Sequence, residues 1–251
     1  MAIIPACLDT GKSLLLEQEE TPMTMQIAMV GTDGIVLAGD TKWSWSNDPI
    51  HWTHGSSKIK IDPKNRTAVS CARSMEVAQP IADAIIGLPE DAWKQPRAFI
   101  GLAAQPIVNK ASYRKDAQCL ILRAGTLHRF YRLQVATING VSDQVVCHEI
   151  DDKAVAGNNN NAAIYWTERY YEKRPVGQLI SLPAHLVVSS AKLNSAMIGG
   201  LEIVVSLDSG IHRISDESIN ELEAEAKRFD ESIGKSLSRN KQFTYAPNVI
   251  G

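Results

Sequence analysis

The hydrophobic pattern of this chain changes period in blocks, and the order of those blocks constrains the fold more than any single motif. Two apolar runs, Ile27 to Val30 and Ile35 to Leu37, flank Gly31-Thr32-Asp33-Gly34 and read as a β-hairpin. The strictly alternating Lys58-Ile59-Lys60-Ile61, an Asp62-Pro63-Lys64-Asn65 turn and the run Thr67 to Cys71 read as a second. Helical spacing follows, with Val77, Ile81, Ile85 and Leu88 on one face and a further helix over 97–112. Strands return at 118–122, 128–133 and 144–148, and helices at 162–171 and 182–194. A last hairpin, 201–207 with 211–214, leads into a closing helix with Ser215 as N-cap and Ile219, Leu222, Ala226, Phe229 and Ile233 on one face. Strands and helices thus come in groups. Grouping predicts stacked antiparallel sheets with helices outside, an α+β chain, and not alternating parallel βαβ units.

Composition bounds the rest. At 251 residues and 44% hydrophobic content the chain can bury one sizeable core, so a single domain is expected. A net charge of −2, with both signs interspersed, gives no electrostatic footprint for nucleic acid or an anionic membrane. Cys71, Cys119 and Cys147 lie in apolar strand-like runs, and with the distant Cys7 they read as thiols of a reducing compartment and not as a disulfide frame. No apolar run reaches membrane-spanning length and no basic-then-apolar leader opens the chain, so a cytoplasmic location is expected. Neither a metal nor another cofactor is expected. His51 and His54 sit in a Trp- and Ser-rich stretch without a carboxylate cluster. The phosphate-loop-like ACLDTGKS, residues 6–13, lacks room for the long helix such a loop needs, because Pro22 intervenes. The acid run Glu17 to Glu20 reads as solvated.

The first hairpin carries the chemistry. If its strands pair across the four-residue connection, opposed residue numbers sum to about 65, which makes Thr24 and Asp40 neighbours. Ile59 and Ile61 point to the core, leaving Lys58 and Lys60 on a more polar face. A hydroxyl, a carboxylate and an ammonium form a set that can activate a nucleophile, given a base for the hydroxyl proton.

At these residues the sequence resembles the proteasome β-type subunits, threonine peptidases among the N-terminal-nucleophile hydrolases. TMQIAMVGTDGIVLAGD is similar to the family's opening, SSKIKI to its lysine segment, and AKLNSAMIGGLEIVV to the helix that runs through Gly-Gly into a long strand. The resemblance covers Thr24 to about Ile214 and implies a four-layer αββα sandwich. It implies Thr24 as nucleophile, the Thr24 α-amine as base, Lys58 tuning that amine and Asp40 holding Lys58. It implies an oxyanion donor at the backbone of Ala72, where the family usually has glycine, with support from Asn160 and Ser195. Ser195 stands where the family has its second aspartate and Ile198 where it has a serine.

Under this likeness residues 1–23 form an N-terminal extension or propeptide and 24–251 the working domain, since Thr24 needs a free amine. Translation from Met23 followed by methionine removal also exposes that amine. The implied partners are unfolded polypeptide or peptide as substrate, further copies of the chain closing a ring, and an ATPase unfoldase. Two alternatives stay open, a catalytically silent scaffolding subunit and a small-amide hydrolase using the same nucleophile.

Overall fold

The structure, a computed structural model, describes residues 24–45, 48–53, 56–112, 116–138, 142–157, 162–195 and 198–238. The proposed extension 1–23, Cys7, Asn160 and His54 lie outside the described residues, as does the side chain of His51.

Strands β1 (Met25–Val30) and β2 (Ile35–Gly39) pair in the expected register, Gln26 opposite Gly39 and Val30 opposite Ile35. A short hairpin follows, β3 (Trp43–Trp45) with β4 (Asp48–Thr53), in the Trp- and Ser-rich stretch. Next come β5 (Ile59–Ile61), β6 (Thr67–Arg73), helices α1 (Met75–Ile86) and α2 (Pro96–Lys110), and strands β7 (Ala117–Arg123), β8 (Arg129–Ile138) and β9 (Ser142–Glu149). Strand β10 (Lys153–Gly157) precedes α3 (Ala162–Tyr170), α4 (Val176–Leu179) and α5 (Ser181–Leu193). Strands β11 (Glu202–Leu207) and β12 (Gly210–Arg213) and helix α6 (Asp216–Leu237) close the described chain, with Ser215 Oγ accepting from Ser218 N–H as the N-cap.

Two antiparallel sheets result, one in the order β10-β1-β2-β11-β12 and one in the order β5-β6-β7-β8-β9. Their strands read as nearly continuous apolar runs because both faces are buried. Met25, Ile27, Met29, Val36 and Ala38 face helices α4 to α6, whereas Ala28, Ile35 and Leu37 face the second sheet. In that sheet Ala68, Leu120 and Leu122 point inward, and Val69, Cys71, Cys119 and Ile121 point out to α1 and α2. Three apolar layers between four structural ones make the αββα sandwich. Leu37 is fully buried between the sheets, so Leu37→Ala is expected to lower unfolding free energy by about 2–5 kcal/mol in denaturant titration.

Candidate active site

The β1-β2 register brings Thr24 beside the end of β2, as its number sum requires. Asp40 N–H donates to the Met25 carbonyl at 3.0 Å, and Met25 N–H donates to Asp40 Oδ1 at 2.9 Å. Asp40 Oδ2 receives Lys58 Nζ at 2.7 Å, and the same ammonium lies 3.4 Å from Thr24 Oγ1. All three residues are at most 4% exposed. Lys58 is therefore not on a polar outer face. It opens β5 and reaches across to the other sheet, while Lys60 behaves as a surface residue and pairs with Asp83.

Burial pulls Lys58 below the ordinary lysine value, against the attraction of Asp40, Glu202 and Cys71. Burial likewise pushes Asp40 up, opposed by Lys58 and by the N–H groups of Met25 and Lys42. Three donors on one carboxylate match its ionised form, so we describe the pair as charged.

The strand alternation also decides which backbone donor faces this centre. Cys71 N–H donates to Lys58 O and Ser74 N–H to Asp116 O, so along β6 odd-numbered amides face β5 and even-numbered ones face β7. The amide of Ala72 therefore points at Gln118, and that of Arg73 points to the Lys58 side. Arg73 has φ +67°, the left-handed conformation that glycine adopts most readily. The glycine-like position after this strand is thus Arg73, one residue beyond Ala72.

Gly157 packs against Thr24 from β10, a strand that the sequence reading missed. Its φ is +98°, and a Cβ there would stand 1.8 Å from the Thr24 carbonyl oxygen. Gln118 Oε1 accepts its N–H at 2.9 Å and the Arg73 guanidinium donates to its carbonyl at 3.2 Å. Ser195 is exposed at the end of α5, and its carbonyl accepts from Lys42 Nζ. Ile198 is buried in the outer apolar layer under the helices. Neither position supplies a charge near Thr24.

A carboxylate that the sequence reading passed over does come close. Glu202, 7% exposed at the start of β11, accepts from Lys58 N–H at 2.6 Å and Ile59 N–H at 3.1 Å through Oε1. Its Oε2 accepts from Ser57 Oγ at 2.6 Å and Arg213 at 2.7 Å. The available signal was an acid inside an apolar strand run, which burial alone would penalise. Among the described residues no cluster of three His, Cys, Asp or Glu side chains could hold a metal ion, and no helix is long and apolar enough to cross a membrane.

With the geometry in place, solved structures provide the comparison. An Anbu (ancestral beta-subunit) structure from Yersinia bercovieri superposes with a TM-score of 0.68 at 14% identity, covering 89% of this chain and all of that one. The chain has the Anbu fold. An Anbu structure from Hyphomicrobium sp. strain MC1 gives a TM-score of 0.64 at 16% identity over 88% of this chain and 100% of that one. The helical assembly of the Anbu complex from Pseudomonas aeruginosa gives 0.66 at 14% identity over 90% of this chain and 100% of that one. No family model matches the sequence, and no curated protein does. The resemblance to proteasome β-type subunits is corrected accordingly. The structural neighbours are Anbu (ancestral beta-subunit) proteins, and what this chain shares with them at such low identity is the fold.

Proposed function

We propose that this chain is an Anbu-like N-terminal-nucleophile hydrolase that cleaves peptide amides with Thr24. The observation that carries the reading is the buried Thr24-Lys58-Asp40 line, 3.4 Å and then 2.7 Å between successive polar atoms. A buried charged pair aimed at a hydroxyl has a chemical use, because desolvation opposes such an arrangement in a purely structural role.

The Thr24 α-amine, once free, takes the hydroxyl proton as Oγ1 attacks the amide carbon. Negative charge develops on the former carbonyl oxygen, and in this reading the Arg73 N–H, and not the expected Ala72 donor, receives it. The proton held by the α-amine passes to the leaving nitrogen, the C–N bond breaks, and an ester on Thr24 remains. Water then attacks that ester with the same amine as base, which releases the acid and restores the hydroxyl. Lys58 remains a cation throughout and favours the unprotonated amine. Asn160 and Ser195 remain secondary supports in this reading, and the substrate is unfolded polypeptide or peptide. Self-association is proposed by analogy with the Pseudomonas aeruginosa Anbu complex, whose solved form is a helical assembly.

A chain beginning at Thr24 should hydrolyse a fluorogenic peptide amide, and one that retains residues 1–23 uncleaved should not. Thr24→Ser should keep part of the rate. With the α-amine as base the rate should rise with pH around its usual value near 8, or lower because Lys58 is close. Turnover by full-length protein shown intact by mass spectrometry would refute the amine mechanism. A fully assembled Thr24-start chain without turnover would favour the scaffolding alternative.

A further inference from the structure

We propose that Glu202 is the positioning residue for Lys58 and its second counter-charge. The proposal rests on the hydrolase reading above and assigns a role to a residue that this reading does not use. Strand β5 is only three residues long and lies at the edge of its sheet, so its first backbone groups have few partners of their own. The carboxylate of Glu202, 144 residues away in sequence, crosses from the other sheet to take the amides of Lys58 and Ile59. Its second oxygen takes Ser57 Oγ at 2.6 Å, and Ser57 Oγ is also linked to the Ile59 backbone. Arg213 completes the clamp by bridging Glu202 at 2.7 Å and the Ile59 carbonyl at 3.0 Å. Three consecutive residues, Ser57, Lys58 and Ile59, are thereby fixed by one side chain. Without that anchor the Lys58 backbone could shift, and the 3.4 Å approach of Nζ to Thr24 would be lost.

The charge matters apart from the geometry. Lys58 is faced by Thr24 and Asp40 from the first sheet, by Cys71 from β6 and by Glu202 from β11. Glu202 is faced by Lys58, Ser57 and Ile59 from the β5 side and by Arg213 from β12. Lys58 is thus a cation between two buried carboxylates, one in direct contact and one behind its own backbone. Glu202 holds it protonated while Thr24 reacts, and Arg213, 43% exposed, tempers that field from the solvent side.

Glu202→Gln separates the two functions, since the amide oxygen still accepts backbone N–H groups while the charge is gone. In the Thr24-start chain, kcat should fall about tenfold with KM little changed. The high-pH limb of the rate profile, where Lys58 loses its proton, should move down by about one pH unit. Arg213→Gln, which leaves the bonds from the Lys58 and Ile59 amides to Glu202 in place, should move that limb up. Lys58 should be titrated in parallel by NMR of 13C-lysine-labelled protein, assigned with Lys58→Arg, because this readout needs no turnover. An unmoved limb and an unmoved Lys58 titration in Glu202→Gln would overturn the proposal. A Glu202→Gln chain that fails to fold leaves the decision to Arg213→Gln, whose unchanged Lys58 titration would overturn it equally. If no Thr24-start chain turns over, the hydrolase reading fails, and the Lys58 titration alone decides whether Glu202 acts on it.

Discussion

Lys58→Ala in the Thr24-start chain is expected to abolish turnover and also to lower unfolding free energy by about 3–5 kcal/mol. Both effects follow from the same contact. Lys58 is 2% exposed and Asp40 is fully buried, so removing the ammonium leaves a carboxylate stranded in the interior. Placing Lys58 on a polar strand face predicts loss of activity without loss of fold, and the burial in the structure overturns the second half. The way to separate the two is a variant that removes the charge from both partners. Asp40→Asn keeps an acceptor for Met25 N–H, and with Lys58→Met fills the volume with an uncharged chain. That pair should recover most of the lost stability in denaturant titration and none of the activity. If Lys58→Ala retained peptidase turnover, the Thr24-Lys58-Asp40 line would have no part in the chemistry.

Gly157→Ala is expected to cost about 2–6 kcal/mol, the sum of left-handed backbone strain and overpacking. The added methyl would meet the Thr24 carbonyl oxygen at 1.8 Å, and neither atom can move without shifting β1 against β10. Displacing Thr24 by about 1 Å should lower kcat about a hundredfold even in molecules that fold. Circular dichroism melting and steady-state kinetics on one preparation would check both parts. The Gln118 and Arg73 contacts to Gly157 predict that any surviving activity falls further when Gln118 is truncated, because the end of β10 then loses one of its two side-chain anchors. Near-normal stability in Gly157→Ala would mean that the end of β10 yields, and that Thr24 is held from elsewhere.

Much of this architecture was legible in the chain. The Asp-Gly turn between apolar runs set the register of β1 on β2, and that register alone places Thr24 next to Asp40. Helical spacing located α1, α2 and α5 to within about two residues, and the grouping of periods gave the layer order. Strand β10, Lys-Ala-Val-Ala-Gly, escaped because five small and mixed residues carry too weak an alternation to distinguish a strand from a loop. Phe229, on the apolar face of the last helix, is 49% exposed and packs edge-on against Trp166 of α3 and His185 of α5, because α6 lies over helices and not directly on a sheet.

The site divides in the same way. That Thr24, Asp40 and Lys58 come together was readable because two of them are joined by a local turn and the third directly precedes an alternating run further along the chain. Which amide of β6 faces them was not readable, since one extra residue in the preceding turn reverses the direction of every N–H along a strand. Ala72 and Arg73 differ in this respect only through pairing with β5 and β7. Glu202 was further out of reach. Its partners Ser57, Lys58 and Ile59 belong to the other sheet, and no periodicity relates residues 144 positions apart. Local sequence determined the elements, their faces and the first hairpin's register, because these depend on turn chemistry and on the alternation of side chains along a strand. Only the stacking of the two sheets decided that Lys58 is buried, that Arg73 presents its amide and that Glu202 stands behind the lysine, because burial and cross-sheet contact exist only after both layers have come together.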